Sequence, residues 1–399
     1  MKLGSLKTTL SLAAVLAIGW NSAWAGGESF SAKTFKTANG PFVITAPDNS
    51  GSLRLRFCGQ LIAQYYNRDF GEGNDRKDST TVLVRRVRFT LDGRVKDPNI
   101  SYLLHLSLAP GSLELIDLYL NWASTQDLQL RFGQWKVPFT RYRIQSSQRL
   151  TFVDWSIETK YFGAERQLGL ALHNDYEKPG KFGYAVGLFT GENGRASHGI
   201  GIPIVYGITP VSLSNLSGPA YSAKVHPELA LHLSYNQGGI LVDSDSDLEG
   251  GPLRWSLAFS LARDFYAGRK EDFSLRIAPE ALVKYNHLSS SLIYYSGWFK
   301  PIDESSEKFA MQGGQWQGAW RLSERWEAAA RYAVVDFSDD LLQDSQYRTS
   351  QEQEWTIGGT YYIAGHNLKI QTEASLLRHV KTTEIRDDYR VRSQLQVAF

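Results

Sequence analysis

Apolar and polar positions alternate along most of this chain in segments of about ten residues, the period of strands that are wet on one face only. The clearest segment is Leu253-Arg-Trp255-Ser-Leu257-Ala-Phe259-Ser-Leu261, apolar on one side and small or polar on the other. Leu53, Leu55, Phe57, Gly59 and Leu61 make another such face, followed by Val87, Phe89 and Leu91. The series continues through Tyr102, Leu104, Leu106 and Leu108, through Ile116, Leu118, Leu120 and Trp122, and through Leu128, Leu130 and Phe132. Later members are Trp355, Ile357, Gly359 and Tyr361, then Leu368, Ile370, Thr372, Ala374 and Leu376. The closing segment, Tyr389 to Phe399, alternates likewise, sets Arg390, Arg392, Gln394 and Gln396 on the second face, and ends on an aromatic residue. Successive strand side chains point to opposite faces, so one face of each segment suits lipid and the other water.

Between these segments, Lys96-Asp-Pro-Asn99, Ser124-Thr-Gln-Asp127, Ser323-Glu324 and Ala364-Gly-His-Asn367 predict tight turns. The stretches 67–78, 138–164, 191–218, 299–308 and 339–352 predict long polar loops. Short periplasmic turns alternating with long extracellular loops are the asymmetry of outer-membrane barrels. A soluble all-β secreted protein would alternate in hydropathy too, but would predict neither that asymmetry nor a strand ending on Phe399. The expected fold class is therefore all-β: a transmembrane antiparallel β-barrel of about 16 strands, with 18 as the alternative. The even number follows from placing both termini on the periplasmic side. The stretch 219–263 is ambiguous, because Pro227 fits a turn or a bulge within one long strand.

The N-terminus reads as a secretory signal over residues 1–25. Lys2 and Lys7 supply positive charge, Leu10 to Ile18 the apolar stretch, and Ala23-Trp24-Ala25 a small-x-small cleavage site before Gly26. Nothing later approaches the roughly 20 apolar residues of a helical span. An exported membrane protein of this kind must close into a barrel to satisfy its backbone polar groups in lipid. Residues 26–50 lack clear alternation and are expected to form a periplasmic lead-in, with the barrel over 51–399.

Composition agrees, with 42% apolar and 13% aromatic residues and a mean hydropathy of −0.31. The chain holds 43 basic and 41 acidic residues, so cleavage before Gly26 would leave it formally neutral, which removes the global basic field expected of nucleic-acid binding. The single Cys58 has no intramolecular disulfide partner, and its alternation with Arg54, Arg56 and Gln60 makes it a small lumen-facing residue.

A barrel of this size is wide enough for an aqueous channel, so function rests on the wet face. Phasing each strand from its apolar face gives a basic inward set of Arg54, Arg56, Arg86, Arg88, Arg94, Arg131, Arg254, Arg331, Lys369, Arg390 and Arg392. The acidic inward set is smaller: Asp92, Asp117, Glu327 and Glu373. Arginines in a narrow low-dielectric channel favour anions, and the guanidinium fork suits oxyanions in particular. The competing reading is that these arginines pair with wall acids and brace the barrel.

The run Arg85-Arg-Val-Arg88-Phe-Thr-Leu-Asp-Gly93-Arg-Val resembles the Arg-Arg-x-Arg…Gly strand of the phosphate-selective porin O/P family. Leu130-Arg-Phe-Gly133-Gln-Trp-Lys136-Val-Pro138-Phe139 resembles that family's Gly-Gln-aromatic-Lys-x-Pro-Phe stretch, and the likeness extends through Arg166-Gln-Leu-Gly-Leu170 and into the final strands. The resemblance implies an outer-membrane porin, usually a homotrimer, with its third extracellular loop folded into the pore. Here that loop is 138–164, which mixes Arg141, Arg143 and Arg149 with Asp154, Glu158 and Lys160. Lys136, Arg141 and Arg143 are then the candidate constriction groups, and Arg54, Arg56, Arg86, Arg88 and Arg131 the candidate pore wall. The expected partners are outer-membrane lipid and small anions such as phosphate.

Catalytic and metal patterns are weak. His105-x-Ser107 and His232-x-Ser234 place His and Ser on one strand face, but a hydrolase needs an orienting acid and an oxyanion donor as well. Asp243, Asp245, Asp247 and Glu249 alternate as calcium ligands do, yet the sixth and twelfth positions hold Leu248 and Arg254 where glycine and glutamate belong, so the run reads as a solvated turn. The eight histidines lack metal-ligand spacing, and no cofactor motif appears. The expectation is a passive channel without catalytic residues, metal or cofactor. Its rivals are an unselective diffusion porin and, further off, a barrel sheathing a periplasmic electron carrier.

Overall fold

Each alternating segment becomes a strand of a single antiparallel sheet that closes on itself. The computed structural model describes residues 42–46, 48, 50–70, 76–108, 113–191, 227–265, 273–299, 309–337, 349–381 and 384–399. The expected signal segment, most of 26–50 and most of the loops expected at 191–218, 299–308 and 339–352 lie outside the described residues. The strands are β1 (Phe42–Thr45), β2 (Ser52–Arg68), β3 (Lys77–Arg94), β4 (Ile100–Ser107), β5 (Glu114–Ala123), β6 (Gln129–Lys136), β7 (Arg166–His173), β8 (Phe182–Phe189), β9 (Glu228–Gln237), β10 (Arg254–Asp264), β11 (Phe273–Tyr285), β12 (Leu288–Phe299), β13 (Phe309–Arg321), β14 (Trp326–Phe337), β15 (Thr349–Ala364), β16 (Leu368–Lys381) and β17 (Ile385–Ala398). Neighbours in sequence pair in order from β2 to β17, and β17 returns to β2, so sixteen strands form the ring and β1 is one extra strand. The seam runs from Tyr389 opposite Asn67 to Ala398 opposite Cys58. Phe399 completes it: its ring stacks on Phe57 at 5.1 Å, and the two residues exchange backbone hydrogen bonds of 2.9 and 3.1 Å.

Closure removes every free edge, which lets the backbone satisfy itself in lipid. The outward face is apolar at mid-span, where Leu118, Leu170, Leu188, Leu257, Leu292 and Ile357 are exposed. Aromatic residues mark both rims. Trp122, Trp320 and Trp326 lie toward the end where β2 begins (the near end), and Tyr65, Trp298 and Tyr389 toward the far end. The tight turns expected at 96–99, 124–127, 323–324 and 364–367 all close the near end.

Four expectations are corrected. Pro227 lies neither in a turn nor in a bulge: it immediately precedes β9, and 219–263 contains two strands separated by residues 238–253. Residues 42–45, expected in a lead-in without clear alternation, form β1 and pair with β2 from Ser52 to Leu55. The loop expected at 339–352 ends sooner, since β15 begins at Thr349. Ile116 does not share the lipid face of Leu118 and Leu120: the β4–β5 register slips between His105 and Leu106, and Ile116 is buried inward. A bulge adds one residue, and one residue reverses the facing.

The third far-end loop folds inward, as expected, and supplies the molecule's apolar core. Residues 137–165 carry a helical turn α1 (Arg141–Ile144), a 3₁₀ turn at Ser147–Arg149 and a short helix α2 (Ile157–Phe162). Phe139, Tyr142, Leu150, Tyr161 and Phe162 pack inside the barrel against Tyr295, Met311 and Val335. Phe162 stacks on Tyr295 at 5.2 Å.

Candidate functional site

The β2–β3 hairpin carries a run of the candidate pore-wall arginines. Arg54 Nε and Arg56 Nε each donate to Asp92 at 2.8 Å, two cations on one carboxylate. Higher up, the register slips between Gln60 and Leu61, leaving Arg85 opposite no residue. The bulge lets consecutive arginines reach the same partner: Arg85 Nη2 lies 2.8 Å and Arg86 Nη2 3.0 Å from Asp154 in the infolded loop. Burial alone would raise the Asp154 carboxyl, but Arg86 and Arg85 hold it well below the usual carboxylate range. Arg86 Nη1 also donates to Gln60 at 2.9 Å. Arg88 is different. Among the described residues it makes one side-chain contact, to Ser147 Oγ at 3.4 Å, and no ion pair.

The infolded loop is held by its backbone. Glu280 accepts from the amides of Arg141 and Tyr142 at 2.8 and 3.3 Å, Glu373 from Val153 at 2.8 Å and Glu354 from Ile157 at 3.0 Å. Lys369 and Gln371 donate to the Leu150 carbonyl at 2.9 and 3.0 Å. The same carboxylates pair with wall arginines: Glu354 with Arg331 at 2.7 Å and Arg390 at 3.3 Å, and Glu373 with Arg392. Buried charge is costly unless paired, so these groups fix the loop's position more than they add stability.

The sequence-derived residues separate by role. Arg141 pairs with Asp245 at 3.2 Å and Arg143 with Glu165. Lys136 is not on the constriction loop: it ends β6, and its Nζ donates to the carbonyls of Arg143, Ile144 and Gln145 at 2.9, 3.2 and 2.8 Å. It therefore secures the end of α1. Arg131 pairs with Glu177 at 2.8 Å and lies 4.3 Å over the Tyr119 ring. His105 turns to Asp117 at 2.7 Å and His232 to Ser260 at 2.8 Å, not to the serines two residues on.

The acidic run is not the solvated turn its sequence suggests. Asp245 and Asp247 are each 2% exposed, because residues 238–253 fold into the lumen from the near end. The inward acidic set is larger than strand phasing suggests, since Glu228, Glu280, Glu354 and Asp388 are buried too. Glycine pairs at 238–239 and 250–251 bracket the run and were its one legible signal. Cavities lie on both sides of the infolded loop. One of about 650 Å³ faces the near end and is lined by Arg54, Arg56, Arg131 and Arg149; one of about 200 Å³ lies beyond the infolded loop beside Lys160 and Arg390. They share no lining residue, and the loop stands between them.

A family model described as phosphate-selective porin O and P matches residues 55–206 and 232–399. Among solved structures, the outer-membrane channel DcaP of Acinetobacter baumannii is similar at a TM-score of 0.59 and 12% identity, covering 89% of this chain and 99% of that one. An anion-selective porin from Comamonas acidovorans gives 0.55 and 12%, covering 88% and 100%. OprB of Pseudomonas putida gives 0.51 and 10%, covering 93% and 100%. At these identities the likeness shows the fold alone. No curated protein matches the sequence.

Proposed function

This chain belongs to the phosphate-selective porin O and P family, and from that premise we propose an anion-preferring diffusion channel with phosphate among its solutes. Membership of a porin family supports the outer membrane of a Gram-negative cell and a channel role. The near end is then periplasmic and the infolded loop enters from outside. One observation carries the preference: on β2–β3, Arg54 and Arg56 share one carboxylate, Asp92, Arg85 and Arg86 share another, Asp154 of the infolded loop, and Arg88 meets none among the described residues. Excess positive charge in a narrow, low-dielectric passage raises local anion concentration. The guanidinium geometry suits phosphate, and wall sites must bind it weakly enough to release it. Family membership also makes a homotrimer the expected assembly.

A second reading, an unselective porin, draws on the pairing of Arg131, Arg141 and Arg143 with carboxylates. A barrel sheathing an electron carrier fits poorly with a lumen already crossed by residues 137–165. The zero-current potential of the purified protein in a planar bilayer under a potassium chloride gradient separates the readings. A chloride-selective potential, with chloride current blocked by added phosphate, is expected. A potential near zero or of cation sign overturns the preference.

A further inference from the structure

We propose that residues 238–253 form a second constriction element, entering from the end opposite the infolded far-end loop, and that Asp243 and Asp245 set the strength of anion preference by holding Arg149 and Arg141. The inference rests on the channel reading above and adds an element that reading does not use.

The insertion is built, not incidental. It joins β9 and β10, whose ends already pair at Gln237 and Trp255, so a tight turn would have closed them. Instead the chain reverses at Gly238 and Gly239 (φ 74° and 69°) and again at Gly250 and Gly251 (φ 69° and 101°). Such left-handed pairs suit glycine and send the intervening residues back up the lumen. Asp247 fixes the base, accepting from Arg254 Nη2 at 2.6 Å and from the His287 amide at 3.0 Å. Ile240 and Val242 bury against Leu282, and Lys284 Nζ donates to the Leu241 carbonyl at 2.8 Å. Ser244 contacts His366 at 3.0 Å, and Ser246 contacts Glu327 at 3.0 Å.

The tip meets the other loop. Ser246 Oγ lies 3.2 Å from Thr151 Oγ1, Asp245 pairs with Arg141 at 3.2 Å, and Asp243 pairs with Arg149. Thus the two cations nearest the large near-end cavity on the infolded loop are met by carboxylates from a different segment. The match is incomplete. Arg141 Nη2, Asp245 Oδ2 and Asp243 Oδ1 are buried without a protein partner, although Arg141 is only 7% exposed. Arg149, 42% exposed and lining the near-end cavity with Asp243, is the cation of the clasp that a passing ion can reach, and the net sign there depends on the two carboxylates. Asp243 and Asp245 therefore act as fixed counter-anions that compete with a mobile one for Arg149 and Arg141.

Planar-bilayer recordings test this with three variants beside the wild type. Asp243→Asn/Asp245→Asn keeps side-chain size and removes both charges. A severalfold fall in the cation-to-anion permeability ratio is expected, and an unchanged or opposite ratio in a conducting wild type overturns the proposal. Removing 240–249, which joins the two glycine pairs into one turn, is expected to raise single-channel conductance severalfold; unchanged conductance overturns the constriction. A Thr151→Cys/Ser246→Cys pair in a Cys58→Ser background checks placement independently of folding losses in the others, since its sulfur atoms would start within disulfide reach. Crosslinking under mild oxidant supports the clasp, and two free thiols overturn it. Silence of wild type and every variant overturns the channel reading itself, which is a different failure from selective insensitivity to the loop.

Discussion

Arg88 stands apart from the other wall arginines because no carboxylate contacts it among the described residues. Arg54 and Arg56 share Asp92, and Arg85 and Arg86 share Asp154. Removing one member of a shared pair leaves the carboxylate still matched, whereas removing Arg88 deletes a positive charge that no carboxylate contacts among the described residues. Arg88→Gln should therefore shift the zero-current potential toward cations more than Arg54→Gln does, measured under one salt gradient. Equal shifts would mean that the local pairing does not govern the field. Sequence phasing placed Arg88 and Arg86 on one face, because they lie two apart on a strand. Their different partners were invisible, since Asp154 and Ser147 come from a loop some sixty residues on.

At the scale of the element, β6 carries its constraint in Gly133. Its φ is +136°, and a Cβ there would stand 2.2 Å from the Leu118 carbonyl oxygen and 2.6 Å from Tyr119 Cα. The β5–β6 pairing thus depends on the missing side chain, immediately before the strand delivers Trp135 and Lys136 to the infolded loop. Gly133→Ala should cost about 1–3 kcal/mol through strain and local displacement, read as a lower urea midpoint for the barrel in detergent. An unchanged midpoint would show that β5 can yield. The motif around Gly133 was legible as sequence, but its reason was not: positive φ and close approach are properties of two paired strands.

For the whole molecule, lipid and lumen compete for successive residues of every strand. Leu257 is exposed on the outer face of β10, and Ala258 lines the near-end cavity. Leu257→Arg should cost about 2–4 kcal/mol of folding into lipid vesicles, as charges facing mid-bilayer lipid do. Ala258→Arg, one residue on, should cost much less and instead alter conductance. Similar folding penalties at both positions would mean that β10 does not divide lipid from water.

Local pattern was sufficient for the class of this protein. Period-two hydropathy from Leu53 to Phe399, tight turns on one side and long connections on the other determine an antiparallel membrane barrel, because facing alternates residue by residue and lipid tolerates no open edge. The arginine faces of β2, β3, β6 and β17 followed from the same rule. What tertiary structure alone decided is how the lumen is filled. The bulges at Arg85 and Ile116 each add one residue and so change facing without any change in composition. The acidic run at 243–249 reads as a wet turn until the barrel closes around it, because burial of a polar loop depends on partners such as Arg141, Arg149 and Arg254 contributed by other segments. Periodicity reports which way a residue faces; only closure determines what it faces.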